Sequence, residues 1–115
     1  MAVSQSRKAR LSRKRARRVA AADNDLTAQQ WEAICAAWPG CAYCSAADVP
    51  MQKDCVLPIS RGGRYTRENV VPACASCNAS KSNEEVTHWI RRKKYNEEAF
   101  LMRLYKVNSA TSASE

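Results

Sequence analysis

The apolar and polar positions of this chain alternate in short runs, which predict several small elements instead of a few long ones. A capping box at Thr27 and Gln30 predicts the start of a first helix, which ends at Pro39-Gly40. Its apolar face recurs every three or four residues: Trp31, Ile34, Cys35 and Trp38. Two brief apolar runs, 53–57 and 69–72, predict the strands of a hairpin with a long glycine-containing loop.

Two further helices are predicted after the hairpin. Ser82 and Glu85 form a second capping-box pattern, which precedes an apolar helical face of Val86, Trp89 and Ile90. The last helix is predicted to begin at 96–98, with these residues facing inward: Phe100, Leu101, Leu104 and Tyr105. The order of elements predicts a small α+β domain in which helices flank a hairpin.

The positive charge is concentrated near the N-terminus. The chain has 115 residues and a formal charge of +8, and residues 1–22 contain eight basic residues and no acid. We therefore predict a disordered basic tail at 1–22, a folded domain at 23–107 and a disordered Ser/Ala/Thr-rich tail at 108–115. Because a core of this size supplies little net stability, a metal ion or disulfides are expected to reinforce it.

The basic tail carries enough charge to bind polyanions. Each phosphate that it neutralises releases counterions, so such binding is salt-dependent and independent of base sequence. The candidate nucleic-acid contacts in the tail are Arg13, Lys14, Arg15, Arg17 and Arg18. The alternative is a solvated tail that only aids solubility.

Four of the six cysteines form two pairs with the spacing of a zinc site. Cys41 and Cys44 are separated by two residues, as are Cys74 and Cys77, and a tight turn can aim both sulfurs of such a pair at one ion. The chain has no apolar run near the ~20 residues of a membrane span and no secretory signal. An intracellular protein with reduced cysteines is therefore expected, which favours structural zinc over disulfides or redox pairs. Cys35 is interpreted as a core residue instead of a fifth ligand.

An ordered set of residues lies between and just after the cysteine pairs. It runs Asp54-Cys55-Val56-Leu57-Pro58, then Gly62-Gly63, then Asn69-Val70-Val71-Pro72, then Cys74-x2-Cys77-Asn78-x2-Lys81. This set resembles the pattern of the HNH endonuclease family over about residues 41–89. The resemblance implies a ββα-metal module, in which a hairpin packs on a helix with a divalent ion between them and the four cysteines bind structural zinc.

The resemblance also implies roles for individual residues. Asp54 and Asn78 would bind the catalytic ion, Mg²⁺ or Mn²⁺, although each taken alone is explained as a turn acid or a helix cap. Asn69 would hold the long loop through backbone hydrogen bonds. Lys81 would lie where a cation can meet a substrate phosphate. Apart from the resemblance, Arg61 and Arg64 add positive charge near the same site. The implied activity is hydrolysis of DNA, expected to be double-stranded, in the cytoplasm of a bacterial cell or a phage-infected host.

Cys55 departs from the family pattern, which has its general-base histidine at this position. A free thiol with a pKa of about 8.5 is mostly protonated at neutral pH, and its sulfur reaches less far than an imidazole nitrogen. The only histidine, His88, is predicted to be an ordinary helix residue. The hypotheses are therefore an endonuclease, a DNA-binding module that does not cut, and a zinc-stabilised protein-interaction domain.

Overall fold

The computed structural model describes residues 24–113, and the predicted basic tail with its five candidate DNA contacts lies outside this range. Four α-helices, one short 3-10 helix and one hairpin make up the described part. They are α1 (Ala28–Ala37), β1 (Met51–Cys55), the 3-10 helix (Ile59–Arg61), β2 (Val70–Cys74), α2 (Ala75–Lys81), α3 (Val86–Arg92) and α4 (Glu97–Ala113). The predicted small α+β architecture is confirmed. None of the described helices is long and apolar enough to cross a membrane.

The hairpin pairs β1 with β2 in antiparallel register, with Met51 opposite Cys74 and Cys55 opposite Val70. All five residues of β2 are buried, whereas β1 exposes its second and third residues and buries Asp54 and Cys55. The strand predicted from the apolar run at 53–57 lies two residues too far toward the C-terminus, since β1 spans Met51–Cys55. The burial of β2 between β1 and the helices sets the register, and polar residues of β1 can therefore belong to the strand.

The core lies between the hairpin and the helices. The predicted capping box of α1 is present. Thr27 Oγ1 accepts from the backbone N–H of Gln30 at 3.0 Å, and Gln30 Oε1 accepts from the backbone N–H of Thr27 at 3.0 Å. On α3 the residue that caps the N-terminus is Glu85, whose carboxylate accepts from the backbone of Thr87 and His88 at 3.1 Å and 2.8 Å. The start of α1 is therefore as predicted, whereas the capping box predicted at Ser82 and Glu85 was wrong. Ser82 ends α2, and Glu85 is itself the N-cap of α3.

Helix α4 buries a different stripe from the predicted one. Phe100 and Val107 are buried and Leu104 is half-buried, whereas Leu101 and Tyr105 are exposed, so the inward prediction for those two residues was wrong. The centroid of the Phe100 ring lies 5.9 Å from that of Trp38 and 5.2 Å from that of Tyr43. Both stripes have helical spacing, and the packing of Phe100 against these rings selects one of them.

The domain boundary predicted at residue 107 falls inside α4, which continues to Ala113. Asn108 Nδ2 donates to the carbonyl of Glu68 at 3.2 Å, which ties this part of the helix to the loop before β2. Alanine favours helix and serine opposes it only weakly, so a Ser/Ala-rich composition does not by itself end a helix that has begun.

Candidate zinc centre and active-site cleft

Four cysteine sulfurs form a compact cluster at one end of the hairpin. The Sγ atoms of Cys41, Cys44, Cys74 and Cys77 all lie within 4.8 Å of one another, and those of Cys44 and Cys74 are 3.7 Å apart. Tetrahedral zinc with Zn–S bonds of about 2.3 Å requires sulfurs about 3.8 Å apart. The cluster therefore has the donors and the spacing to hold a metal ion such as zinc. Cys35 is not part of it and lies half-buried on α1.

The turns around the cysteines explain how the sulfurs converge. The backbone of Cys41 donates to the Ala46 carbonyl at 2.9 Å and accepts from Ser45 at 2.9 Å, closing a tight turn. A Cβ on Gly40 would lie 2.6 Å from the Ala46 oxygen, so this turn requires glycine. In the second pair, the Cys77 N–H donates to Cys74 Sγ at 3.4 Å. This bond lowers the pKa of Cys74 to about 7, which favours the metal-binding thiolate.

A cleft of about 340 Å³ opens beside β1, the loop that follows it and the end of α2. The residues that line it are Lys53, Asp54, Cys55, Pro58, Ile59, Ser60, Tyr65, Asn78, Ser82 and Asn83. Asp54, Cys55 and Asn78, which the sequence singled out from separate segments, therefore line one cleft. The hairpin brings the end of β1 against α2 and so unites them.

Asp54 is buried and accepts hydrogen bonds from two side chains. The Tyr43 hydroxyl donates to Oδ2 at 2.5 Å, and the Lys81 ammonium lies 3.3 Å from Oδ2 and 3.5 Å from Oδ1. Burial raises the pKa of the Asp54 carboxyl, while the hydrogen bond from Tyr43 and the charge of Lys81 act in the opposite direction. Burial and Asp54 also raise the pKa of Tyr43, which keeps its hydroxyl a donor.

Lys81 does not lie where a phosphate could meet it, which corrects the sequence-based expectation. Its side chain is fully buried and donates to the carbonyl of Cys55 at 3.0 Å as well as to Asp54. The last turn of α2 faces β1, so the lysine points into the domain. Its charge neutralises Asp54 inside the fold.

The thiol of Cys55 is buried at the edge of the cleft. Its Sγ lies 3.7 Å from the Arg64 carbonyl, in the geometry of a weak S–H donor. Burial and then the charge of Asp54 raise the pKa of Cys55 to about 11, with Lys81 opposing them. The thiol is therefore neutral at physiological pH, and a neutral thiol is a weak general base.

Asn69 lies across the base of the long loop, and its side chain forms hydrogen bonds to both sides of that loop. Its Oδ1 accepts from the Leu57 N–H at 2.8 Å, and its Nδ2 donates to the carbonyls of Leu57 and Arg64 at 3.0 Å each. Gly63 packs so closely that a Cβ there would lie 1.7 Å from the Leu57 oxygen. The amide and the glycine together hold the loop that forms one wall of the cleft.

The other predicted site residues lie at the surface of the same region. The side-chain Nδ2 of Asn78 donates to Gln52 Oε1 at 2.7 Å, which leaves the side-chain oxygen Oδ1 of Asn78 for a further ligand. Arg61 donates to the Asn83 carbonyl at 2.9 Å and Arg64 to the Gly63 carbonyl at 2.7 Å. Neither arginine has a carboxylate partner in the part of the chain that the structure describes, so both charges are available to an anion.

His88 and the cations of α3 are engaged elsewhere. The side chain of His88 is 72% exposed and its Nδ1 lies 2.8 Å from Glu84, in keeping with an ordinary surface histidine. Arg91 pairs with Glu97 at 2.7 Å, and Arg92 pairs with Glu84 at 2.9 Å. The charges of Arg91 and Arg92 are therefore paired with carboxylates of the domain.

Residues 41–84 match the sequence model of the HNH endonuclease family. This segment is an HNH domain. The predicted family resemblance is confirmed, and the match spans the cysteine cluster, the hairpin and α2. The matched family is one of endonucleases, and the match covers residues 41–84 of the 115-residue chain. No curated protein and no solved structure matches the chain significantly.

Sequence reasoning missed two contacts of Asp54 in this HNH domain, one with Tyr43 and one with Lys81. A signal for Lys81 existed, because it lies three residues after Asn78 and so on the same side of α2. For Tyr43 the sequence contains no such signal. Its ring packs against Trp89 and Phe100, and these distant residues determine where the hydroxyl points.

Proposed function

We propose that the HNH domain hydrolyses phosphodiester bonds of double-stranded DNA with a divalent ion, Mg²⁺ or Mn²⁺, and that the four-cysteine cluster holds structural zinc. The observation that carries this proposal is the convergence of Asp54 and Asn78 on one cleft. A carboxylate and an amide carbonyl are hard oxygen donors, which suit a small divalent cation that keeps waters and a phosphate oxygen as its other ligands.

The residues present fit such an ion. Asp54 and Asn78 would hold it, and its chemistry when bound is to polarise the phosphoryl oxygen and stabilise the leaving oxygen. Asn69 keeps the loop wall in place during this process. Arg61 and Arg64 supply positive charge beside the cleft for the phosphates of the strand.

The basic tail adds a second contribution to DNA binding. Its eight basic residues, unopposed by acids, would neutralise phosphates without reading bases. The cations that we assign to this role are Arg13, Lys14, Arg15, Arg17 and Arg18. The tail therefore supplies affinity, while the cleft selects the bond.

Cys55 supports a second candidate function, a DNA-binding domain that does not cut. The thiol is neutral, buried and directed at the Arg64 carbonyl, so it does not activate water as a histidine would. In the endonuclease proposal, hydrolysis is slow because Cys55 does not take the proton of the attacking water. In the second candidate the protein binds DNA and does not hydrolyse it.

A plasmid-nicking assay with Mg²⁺ or Mn²⁺ separates the two candidates. For the endonuclease we expect slow nicking that Asp54→Ala abolishes and that Cys55→His accelerates by about 10²–10⁴-fold, the usual contribution of a general base. His88→Ala, which removes the only other candidate base, should have no effect. Nicking that persists in Asp54→Ala refutes the proposed ion site, whereas nicking only by Cys55→His supports the non-cutting candidate.

Binding to duplex DNA at two salt concentrations tests the remaining alternative. A DNA-directed domain should lose affinity steeply as salt rises, because each phosphate contact releases counterions. A protein-interaction domain should show no salt-sensitive DNA binding at all. Neutralising the five assigned tail residues to glutamine should reduce the slope of log affinity against log salt.

A further inference from the structure

The hydroxyl of Tyr43 reaches from the cysteine cluster to the proposed ion site. Tyr43 lies between Cys41 and Cys44 in the chain, so its backbone belongs to the first metal-binding turn. The residue is only 7% exposed, and its hydroxyl donates to Asp54 Oδ2 at 2.5 Å. One side chain therefore connects the two sites.

The position of this hydroxyl is determined by packing on several sides. The Tyr43 ring meets the edge of Trp89 at a centroid distance of 5.0 Å and stacks with Phe100 at 5.2 Å. The neighbouring N–H of Ala42 donates to the Pro72 carbonyl on β2 at 2.8 Å, which docks the turn on the hairpin. Because the ring has little room to move, the hydroxyl holds the carboxylate and does not merely follow it.

Hydrogen bonds to Asp54 also distinguish its two oxygens. Oδ2 accepts the Tyr43 hydroxyl and is the oxygen nearer to Lys81, at 3.3 Å, while Oδ1 lies 3.5 Å from the same ammonium. An ionised carboxylate has about four lone-pair positions, two on each oxygen. Oδ2 therefore has two partners within the protein, whereas Oδ1 has only the Lys81 ammonium and keeps one lone-pair position for a further ligand.

We propose that Tyr43 is a positioning residue that turns Asp54 so that Oδ1 alone faces the divalent ion, and that it thereby makes ion binding depend on the zinc-bound turn. The inference rests on the proposed function, because it takes Asp54 as a ligand of that ion. Groups that orient a ligand from behind commonly change metal affinity by about 10–100-fold when they are removed. Zinc then supports the active site through a hydrogen bond as well as through the fold.

The test is Mn²⁺ binding by the zinc-loaded, full-length protein, followed by the electron paramagnetic resonance signal of free Mn²⁺. Tyr43→Phe keeps the ring and removes only the hydroxyl, whereas Tyr95→Phe is the matched control. Tyr95 also packs on Trp89, and its hydroxyl lies 4.0 Å from Cys77 Sγ, so it touches the cluster and not Asp54. Asp54→Asn gives the signal of free Mn²⁺ when the Asp54 carboxylate is absent. Zinc content is measured for every variant.

We expect Tyr43→Phe to bind Mn²⁺ about 10–100-fold more weakly, with unchanged zinc content and with Tyr95→Phe equal to wild type. As a second measurement, the side-chain carboxyl carbon-13 resonance of Asp54 in the absence of Mn²⁺ should shift in Tyr43→Phe and not in Tyr95→Phe. Wild-type Mn²⁺ affinity in Tyr43→Phe overturns the inference and leaves the ion site standing. If the wild-type protein binds Mn²⁺ no more tightly than Asp54→Asn does, both the proposed ion site and the role of Tyr43 are refuted.

Discussion

Replacing Lys81 with methionine should destabilise the HNH domain far more than loss of a typical ion pair. Methionine keeps the length of the side chain and removes its charge. The Lys81 and Asp54 side chains are 0% and 5% exposed, so the variant leaves a buried carboxylate without its cation. Breaking a buried pair in this way costs about 3–5 kcal/mol. We expect about 3 kcal/mol, the lower end of that range, because the Tyr43 hydroxyl still donates to Asp54.

Urea unfolding of the zinc-saturated protein, followed by tryptophan fluorescence, measures this loss. With a urea dependence of ~2 kcal/mol per molar, a loss of 3 kcal/mol lowers the midpoint by about 1.5 M. Arg92→Met is the matched control, since it breaks the pair with Glu84, whose members are 52% and 25% exposed. An exposed pair of this kind contributes about 0–1 kcal/mol, so the control should unfold close to wild type.

A double variant tests whether Lys81 acts through Asp54. Asp54→Asn removes the buried negative charge, so Lys81→Met should cost less in that background than in the wild type. Equal midpoints for Lys81→Met and Arg92→Met would refute the assignment of Lys81 as the buried partner of Asp54. Strict additivity in the double variant would show that the two side chains do not interact.

Three other predictions follow from the structure. Removing zinc with a chelator should abolish the cooperative thermal transition seen by circular dichroism, because structural zinc contributes about 10–16 kcal/mol in small zinc domains; a native spectrum without metal would contradict this. Iodoacetamide should alkylate Cys55 slowly at pH 8 and about tenfold faster per pH unit up to pH 11, as followed by peptide mass spectrometry, because its pKa is raised to about 11. A rate at pH 8 equal to that of a free thiol would show that the pKa of Cys55 is not raised. Gly63→Ala should lower the melting temperature more than Gly62→Ala, because a Cβ at 63 would lie 1.7 Å from the Leu57 oxygen. At 62 a Cβ would have no atom within 4 Å, and alanine there carries only the strain of the positive φ of 99°. The reverse order would disprove the close approach at 63.

Local signals in the sequence predicted the start of α1, the four clustered cysteines and the HNH pattern. Each of these depends on residues that are close in the chain: a capping box spans three residues, and a metal-binding pair spans two. The strand register was predicted less well, because β1 contains Gln52 and Lys53 and its apolar pattern is weak. The inward face of α4 was also ambiguous, since Leu101 and Tyr105 have the same helical spacing as the buried stripe.

By itself, then, the sequence determined which cysteines cluster, because the spacing within each pair constrains where its two sulfurs can go. That Asp54 and Asn78 share a cleft was implied by the resemblance to the HNH family. Only the tertiary structure decided what Lys81, Tyr43 and Cys55 do. Lys81 meets Asp54 across 27 positions of the chain, and the Tyr43 hydroxyl is aimed by the rings of Trp89 and Phe100. A buried polar group must find its partner wherever the fold supplies one, and that partner cannot be identified until distant segments have packed.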